Sequence, residues 1–208
     1  MARLSIERIY DSVLKLNRDY RTPLNAFVTA CQTYHETGNY VHVCGQGNAN
    51  LAGVKCSDNW RNGVIPWSTR RCIDLNTGEH ENGVDVYGKR SFRWYGDRPD
   101  ICLRDMGDLI ARKSWYQDAE DNIDCMWAYL AGLVRRWIPG PRVWEPGWAT
   151  SPVYFNSIAD HMANFAPKLL GLQGLTKLRT SYELAVTRGV LSTAQRNTIE
   201  LHLRRVGA

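Results

Sequence analysis

The sequence predicts an α+β domain with a mainly helical body and a small β-hairpin lobe. Apolar residues recur at helical spacing near the N-terminus and again through the C-terminal half. One strong hairpin signal, Asn82-Gly83, stands between alternating runs within residues 70–95. The resulting order is helices, one small sheet, helices, which suits a sheet set to one side of a helical body.

Taken in order, residues 5–17 form an amphipathic helix with Ile6, Ile9, Tyr10, Val13, Leu14 and Leu16 mostly on one side. Leu24, Phe27, Val28, Cys31 and Tyr34 carry a second helix, with Thr22 as its cap and Pro23 in its first turn. Gly38 ends that helix just after Glu36. Residues 39–68 read as loop. In the hairpin, Phe92, Trp94 and Tyr95 close the second strand. Asp97 or Asp100 caps a helix over residues 97–115, and one helix covers about 118–136. Pro139, Pro141 and Pro146 break the chain into a loop. Ser151 and Pro152 then open a helix through about residue 166. Two more helices follow: 176–188, stopped by Gly189, and 192–205, opened by a capping box of Ser192 and Gln195. The chain divides into a domain over 1–166 and a basic helical extension over 167–208.

Composition narrows the classes. The 208 residues are 44% hydrophobic and include eight Trp, enough for a sizeable core and against disorder. No apolar run approaches the ~18 residues of a membrane span. The N-terminus carries charges throughout and lacks the apolar core of a signal peptide, so the protein is expected to be made in the cytoplasm and delivered by other means. Six cysteines occur without a CxxC pair, so no metal site is expected and buried free thiols are favoured over disulfides. Residues 167–208 hold seven Lys/Arg against two Glu, while the rest of the chain is formally neutral. That excess suits an anionic partner such as a cell wall, a membrane surface or nucleic acid; a solvated helical face is the plainer reading.

Glu36 draws attention by position. It stands in the last turn of its helix, where the macrodipole is negative and an ionised carboxylate is disfavoured. Such a place suits a carboxylic acid that donates a proton. Glycosidic chemistry needs one such acid and often a second carboxylate, for which Glu79 in the hairpin is the candidate. His35 adjoins Glu36 in sequence, but helical neighbours point about 100° apart. No phosphate loop and no Ser-His-Asp arrangement is present, and no cofactor is expected.

Four segments together resemble one known family. HETG at 35–38, eleven residues, then NLAGVK at 50–55 resemble the signature of family 73 glycoside hydrolases, roughly ESGWG…NLFGIK. TGEHENG followed by FRWY resembles that family's Thr-x-Glu hairpin and Phe-Arg-x-Tyr strand. PDICLRDMGDLI resembles the helix after it, and GWATSPVYFNSIADHM resembles its Gly-Tyr-Ala-Thr-Asp-Pro-x-Tyr segment. The resemblance covers about residues 20–166.

It implies a lysozyme-like fold and cleavage of the peptidoglycan glycan chain, mostly as an endo-β-N-acetylglucosaminidase. Glu36 would be the general acid and Glu79 the base or water activator; assistance by the substrate's own acetamido group is the alternative to Glu79. Thr77, Trp148 and Thr150 would bind substrate, as would Asn50 if it does not instead lock its turn and Tyr95 if it does not instead pack in the core. The implied setting is a phage or bacterial lytic enzyme, free or on a virion. Its partners would be glycan strands, the anionic envelope through the basic tail, and other virion proteins, with nucleic acid not expected. The chain departs from the pattern at Asn39, Tyr40, Ala52 and Trp148. These departures motivate two rival readings, muramidase specificity and a protein that binds glycan without cutting it. A third rival, a nucleic-acid binder, would rest on the basic tail.

Overall fold

The first helix, α1 (Ile6–Tyr20), starts where Ser5 accepts the Arg8 N–H at 3.4 Å, and it buries Ile6, Ile9, Val13 and Leu16. The structure, a computed structural model, describes residues 4–42, 47–81, 84–137, 144–146, 148 and 153–208. Within these bounds the α+β expectation holds: a helical body carries a small antiparallel hairpin.

The second helix, α2 (Ala26–Glu36), begins later than the Thr22-Pro23 signal predicts. Asn25 is the cap: it accepts the Val28 N–H at 3.1 Å and donates to the Ile123 carbonyl at 2.8 Å. Thr22 is instead buried, and its hydroxyl donates back to the Leu16 carbonyl, tying the linker to α1. Residues 26–33 of α2 are buried on every side, because α1, α6 and α7 pack around it. A helix enclosed in this way presents its last turn at a fixed place, and Glu36 is that turn's final residue.

In the stretch expected to be loop, Ser57 caps a single turn, α3 (Asp58–Arg61), whose Trp60 is fully buried. The hairpin follows as β1 (Cys72–Glu81) and β2 (Val84–Arg93), paired from Cys72↔Arg93 to Glu81↔Val84. Its turn residues, Asn82 and Gly83, lie outside the described residues. The second strand ends at Arg93, and beyond it Tyr95, 1% exposed, turns inward.

The cysteine expectation is corrected here. Cys56 and Cys72 form a disulfide, with Cα atoms 6.1 Å apart and thus within bridging reach. Lys55 bridges Phe92 and the Cys56 N–H bonds the Ser91 carbonyl, which lays this segment against the hairpin root where Cys72 begins β1. Sequence spacing could not show that approach. Cys31, Cys102 and Cys125 are buried free thiols, as expected, and Cys44 lies outside the described residues.

The next helix, α4 (Pro99–Arg112), has Pro in its first turn but no side-chain cap. Asp100 pairs with Arg98 instead. A 3-10 turn at Ser114–Tyr116 leads to α5 (Gln117–Glu120). The single helix expected over 118–136 is broken at 121–125 before α6 (Met126–Val134). Tertiary contacts explain the break. Arg188 grips Asp124 through two bonds of 2.8 and 2.7 Å, and the Cys125 thiol donates to the Ser181 carbonyl. Beyond α6, β3 (Arg135–Trp137) pairs with β4 (Trp144–Pro146), where a loop was expected.

Helix α7 (Tyr154–Leu170) follows; its expected opening at Ser151-Pro152 lies outside the described residues. Helices α8 (Gly174–Thr187) and α9 (Thr193–Arg205) form the expected hairpin, with the Ser192–Gln195 capping box in place. The division expected at residue 166 falls inside α7. Leu178, Ala185, Ile199 and Leu203 join the same core as the body. A Cβ on Gly174 would overlap the α7 backbone at Ala166, so α8 docks as closely as glycine allows. Three of the seven cations in residues 167–208 pair with the rest of the body: Lys168 with Glu7, Arg188 with Asp124 and Arg205 with Asp160. Among the described residues no helix is long and apolar enough to cross a membrane.

Candidate active site

Glu36 meets the opening residue of α7. The Tyr154 hydroxyl donates to Glu36 Oε1 at 2.7 Å. Tyr154 is buried, and burial first, then the neighbouring Glu36 charge, hold its phenol well above its ordinary pKa. It therefore remains a donor throughout the working pH range. Glu36 Oε2 faces Gly53, whose backbone at φ 60° takes the left-handed turn that glycine tolerates. Gln32, one turn earlier on α2, is buried and lies beside Tyr154.

The chain after Glu36 turns through three consecutive left-handed residues, Gly38, Asn39 and Tyr40, at φ 51°, 69° and 62°. The resembled pattern has glycine at the third of these. For Tyr40 that conformation costs about 1–2 kcal/mol. Its ring packs edge-on against Tyr34 and its hydroxyl lies 3.3 Å from both Thr33 Oγ1 and the Ala30 carbonyl, which offsets the cost.

Beside Glu36 opens a cleft of about 260 Å³. One wall is the turn at residues 52–55, including Gly53. The other comes from Leu109, Lys113, Trp115, Tyr116 and Trp148. Tyr116 and Trp148 pair with ring centroids 5.8 Å apart, and the Trp148 N–H bonds the Leu133 carbonyl. A run of indole and phenol rings along an open groove suits a sugar chain, whose apolar faces stack on aromatic rings.

The 52–55 wall is held by a buried polar network. Arg93, 4% exposed, forms a two-pronged pair with Asp105, 0% exposed, with bonds of 2.7 and 2.5 Å. The Tyr95 hydroxyl donates to the same carboxylate, and Arg93 Nε donates to the Lys55 carbonyl. Asn50 donates to the Val54 and Arg93 carbonyls and accepts the Val54 N–H, locking the turn. Two residues expected to contact substrate lie inside this network. Asn50 and Tyr95 are each 1% exposed, with their polar atoms spent inside the network, so they build the cleft wall without facing the cleft.

The remaining candidates separate. Trp148 lines the cleft. Thr150 lies outside the described residues. Thr77 pairs with Gly88 and Glu79 with Val86, out along the hairpin. Glu79 is seven residues beyond Cys72, about 23 Å along the strand at 3.3 Å per residue, and its side chain lies outside the described residues. The structure thus places Trp148 in the cleft and Glu36 behind its Gly53 wall, and carries Thr77 and Glu79 on the arm. The structure also brings Tyr154 to Glu36 and Tyr116 and Trp115 to the cleft, none of which the sequence reading singles out. Tyr154 was legible as the final Tyr of the GWATSPVY segment; the Trp115-Tyr116 pair had only its aromatic doublet as a signal.

Tyr154→Phe is expected to lower turnover by roughly 10- to 100-fold, the worth of one hydrogen bond to a charged group, with little change in melting temperature. Steady-state kinetics beside a thermal melt check this.

A second titratable cluster adjoins the site. His35 and His161 have ring centroids 5.5 Å apart, and His35 also meets Tyr154 at 5.5 Å. Burial lowers both pKa values, and His35 lowers that of His161 further. Unfolded imidazoles take up protons near pH 6.5, whereas these resist. The unfolded chain therefore binds more protons as pH falls through that value, and stability drops with it. Melting temperatures at pH 7.5 and 5.5 should show the decline, and His161→Gln should flatten it.

No family model and no curated protein matches the sequence. Solved structures do. A peptidoglycan hydrolase mutant from Sphingomonas sp. A1 is similar over 84% of this chain and 97% of its own, at 21% identity and a TM-score of 0.59. An N-acetylmuramoyl-L-alanine amidase from Staphylococcus aureus is similar over 76% of this chain but 40% of its own, at 20% and 0.55. The catalytic domain of the autolysin Auto from Listeria monocytogenes is similar over 77% and 81%, at 17% and 0.54. At these identities the likeness shows the fold, the lysozyme-like arrangement of a helical body with a small β lobe.

Proposed function

We propose that the protein is a peptidoglycan hydrolase that cleaves the glycan backbone, as an endo-β-N-acetylglucosaminidase, with Glu36 as general acid. The observation that carries the reading is the Glu36–Tyr154 pair behind Gly53, a residue of the aromatic-lined cleft. Glu36 delivers its proton to the glycosidic oxygen as the bond breaks. The Tyr154 hydroxyl, already donating to Oε1, stabilises the carboxylate that remains and keeps the acid oriented. Tyr116 and Trp148 hold the sugar rings in register. The Cys56–Cys72 disulfide suits a protein working in an oxidising compartment such as the cell surface. The names of two structural neighbours, a peptidoglycan hydrolase and an autolysin, support the substrate class.

Glu79 serves as base or water activator if the hairpin folds over bound glycan; otherwise the substrate's acetamido group takes that part. Muramidase specificity uses the same acid and differs in which sugar occupies the cleft beside it. Incubation with purified sacculi tests the reading. Release of new reducing ends is expected. Release of free stem peptides without reducing ends would replace it with an amidase reading.

A further inference from the structure

Arg104 lies on α4 one turn before Gly107, where a Cβ would overlap Thr22 Cγ2. The helix thus meets the linker after α1 as closely as glycine allows, and the Arg104 guanidinium comes over two rings. Its Cζ is 4.3 Å from the Tyr20 ring centroid and 4.6 Å from that of Trp67. Tyr20 ends α1 and is 57% exposed, whereas Trp67 packs against the core. The rings attract the charge and hold the side chain in place. They offer no lone pair to its five N–H donors. Among the described residues Arg104 makes no hydrogen bond and no ion pair. Asp108, the carboxylate one turn further along α4, pairs with Arg112 instead. A partly buried guanidinium, held in place and without an acceptor, suits a ligand that brings one.

We propose that Arg104, held by Tyr20 and Trp67, is a binding site for an oxyanion, a phosphate or a carboxylate, outside the catalytic cleft. The planar guanidinium fork takes two oxygens of either group at once, and the rings fix its position before the ligand arrives. Phosphate and carboxylate share the chemistry read here, two oxygens and a negative charge, and the test separates them. The site stands apart from the cleft. Leu109, the residue of α4 that lines the cleft, follows Arg104 by five positions, about 140° around the helix at ~100° per residue. A ligand held at Arg104 therefore leaves the groove open. The site does not depend on the hydrolase reading, and binding tests it without turnover.

The protein is titrated with inorganic phosphate, with acetate and with chloride at one fixed ionic strength. The Arg104 Nε–H and Trp67 indole N–H resonances are followed by NMR, each assigned by its loss in Arg104→Gln or Trp67→Phe. Saturable shifts of both are expected with phosphate or acetate and not with chloride. The dissociation constant should be on the order of millimolar, the affinity that two charge-assisted hydrogen bonds provide. Tyr20→Leu should weaken binding about two- to fivefold, the worth of one exposed ring contact that holds the guanidinium. Arg104→Gln should abolish the Trp67 shift, and Arg104→Lys, which keeps the charge and loses the fork, should restore it only in part. Tighter binding of phosphate or of acetate assigns the ligand group. Equal shifts with chloride, no saturation in the millimolar range, or a Trp67 shift that survives Arg104→Gln overturns the site. Turnover of sacculi by Arg104→Gln, with a thermal melt to show folding, should match the wild type; its loss in a folded variant overturns the separation from the cleft.

Discussion

Glu36→Gln is expected to cut the release of reducing ends from peptidoglycan by 10²-fold or more while leaving the fold intact. The amide matches the carboxyl in size, and its Oε1 can still accept the Tyr154 hydroxyl now 2.7 Å away. Nor does the change touch the enclosed part of α2, since Glu36 is its last residue. What is lost is the transferable proton, because a primary amide is not an acid near neutral pH. Loss of a general acid typically costs 10²–10⁴ in rate. Kinetics on sacculi, with a thermal melt to show that the variant is folded, separates this from simple damage. A stable variant with undiminished activity would remove Glu36 from the mechanism.

Asp105→Ala is expected to cost about 3–5 kcal/mol of stability, because it leaves the buried Arg93 guanidinium without its counter-charge. Arg93 is 4% exposed, so water cannot replace the carboxylate without opening the lobe. The Tyr95 hydroxyl loses its acceptor at the same time. The damage should spread to the cleft, since Arg93 also holds the Lys55 carbonyl and its own carbonyl anchors Asn50. Asp105→Asn keeps the shape and part of the hydrogen bonding and should cost less. Denaturant titration of the three proteins checks the order, and near-equal midpoints would contradict it.

The helical body and the hairpin were legible because each rests on local chemistry: helical periodicity, the Ser192–Gln195 capping box, and alternating runs either side of an Asn-Gly signal. The place of Glu36 at its helix end was legible for the same reason, two residues before a left-handed Gly38. The failures are tertiary. The break at 121–125 is fixed by Arg188 and Ser181, which lie more than fifty residues away. The Cys56–Cys72 bridge depends on a loop folding back on β2. The motif residues Asn50, Tyr95 and Arg93 look alike in sequence whether they bind substrate or build the wall. Only burial and the Asp105 network assign them to the wall. Tyr154 was written in its motif, but its contact with Glu36 spans 118 residues.

Mass spectrometry of the soluble products from purified sacculi tests the central claim most directly. The account predicts fragments carrying new reducing-end N-acetylglucosamine with the stem peptides still attached to muramic acid, and none of them with Glu36→Gln. Intact glycan strands with freed peptides, or the same sugar fragments from Glu36→Gln, would contradict it.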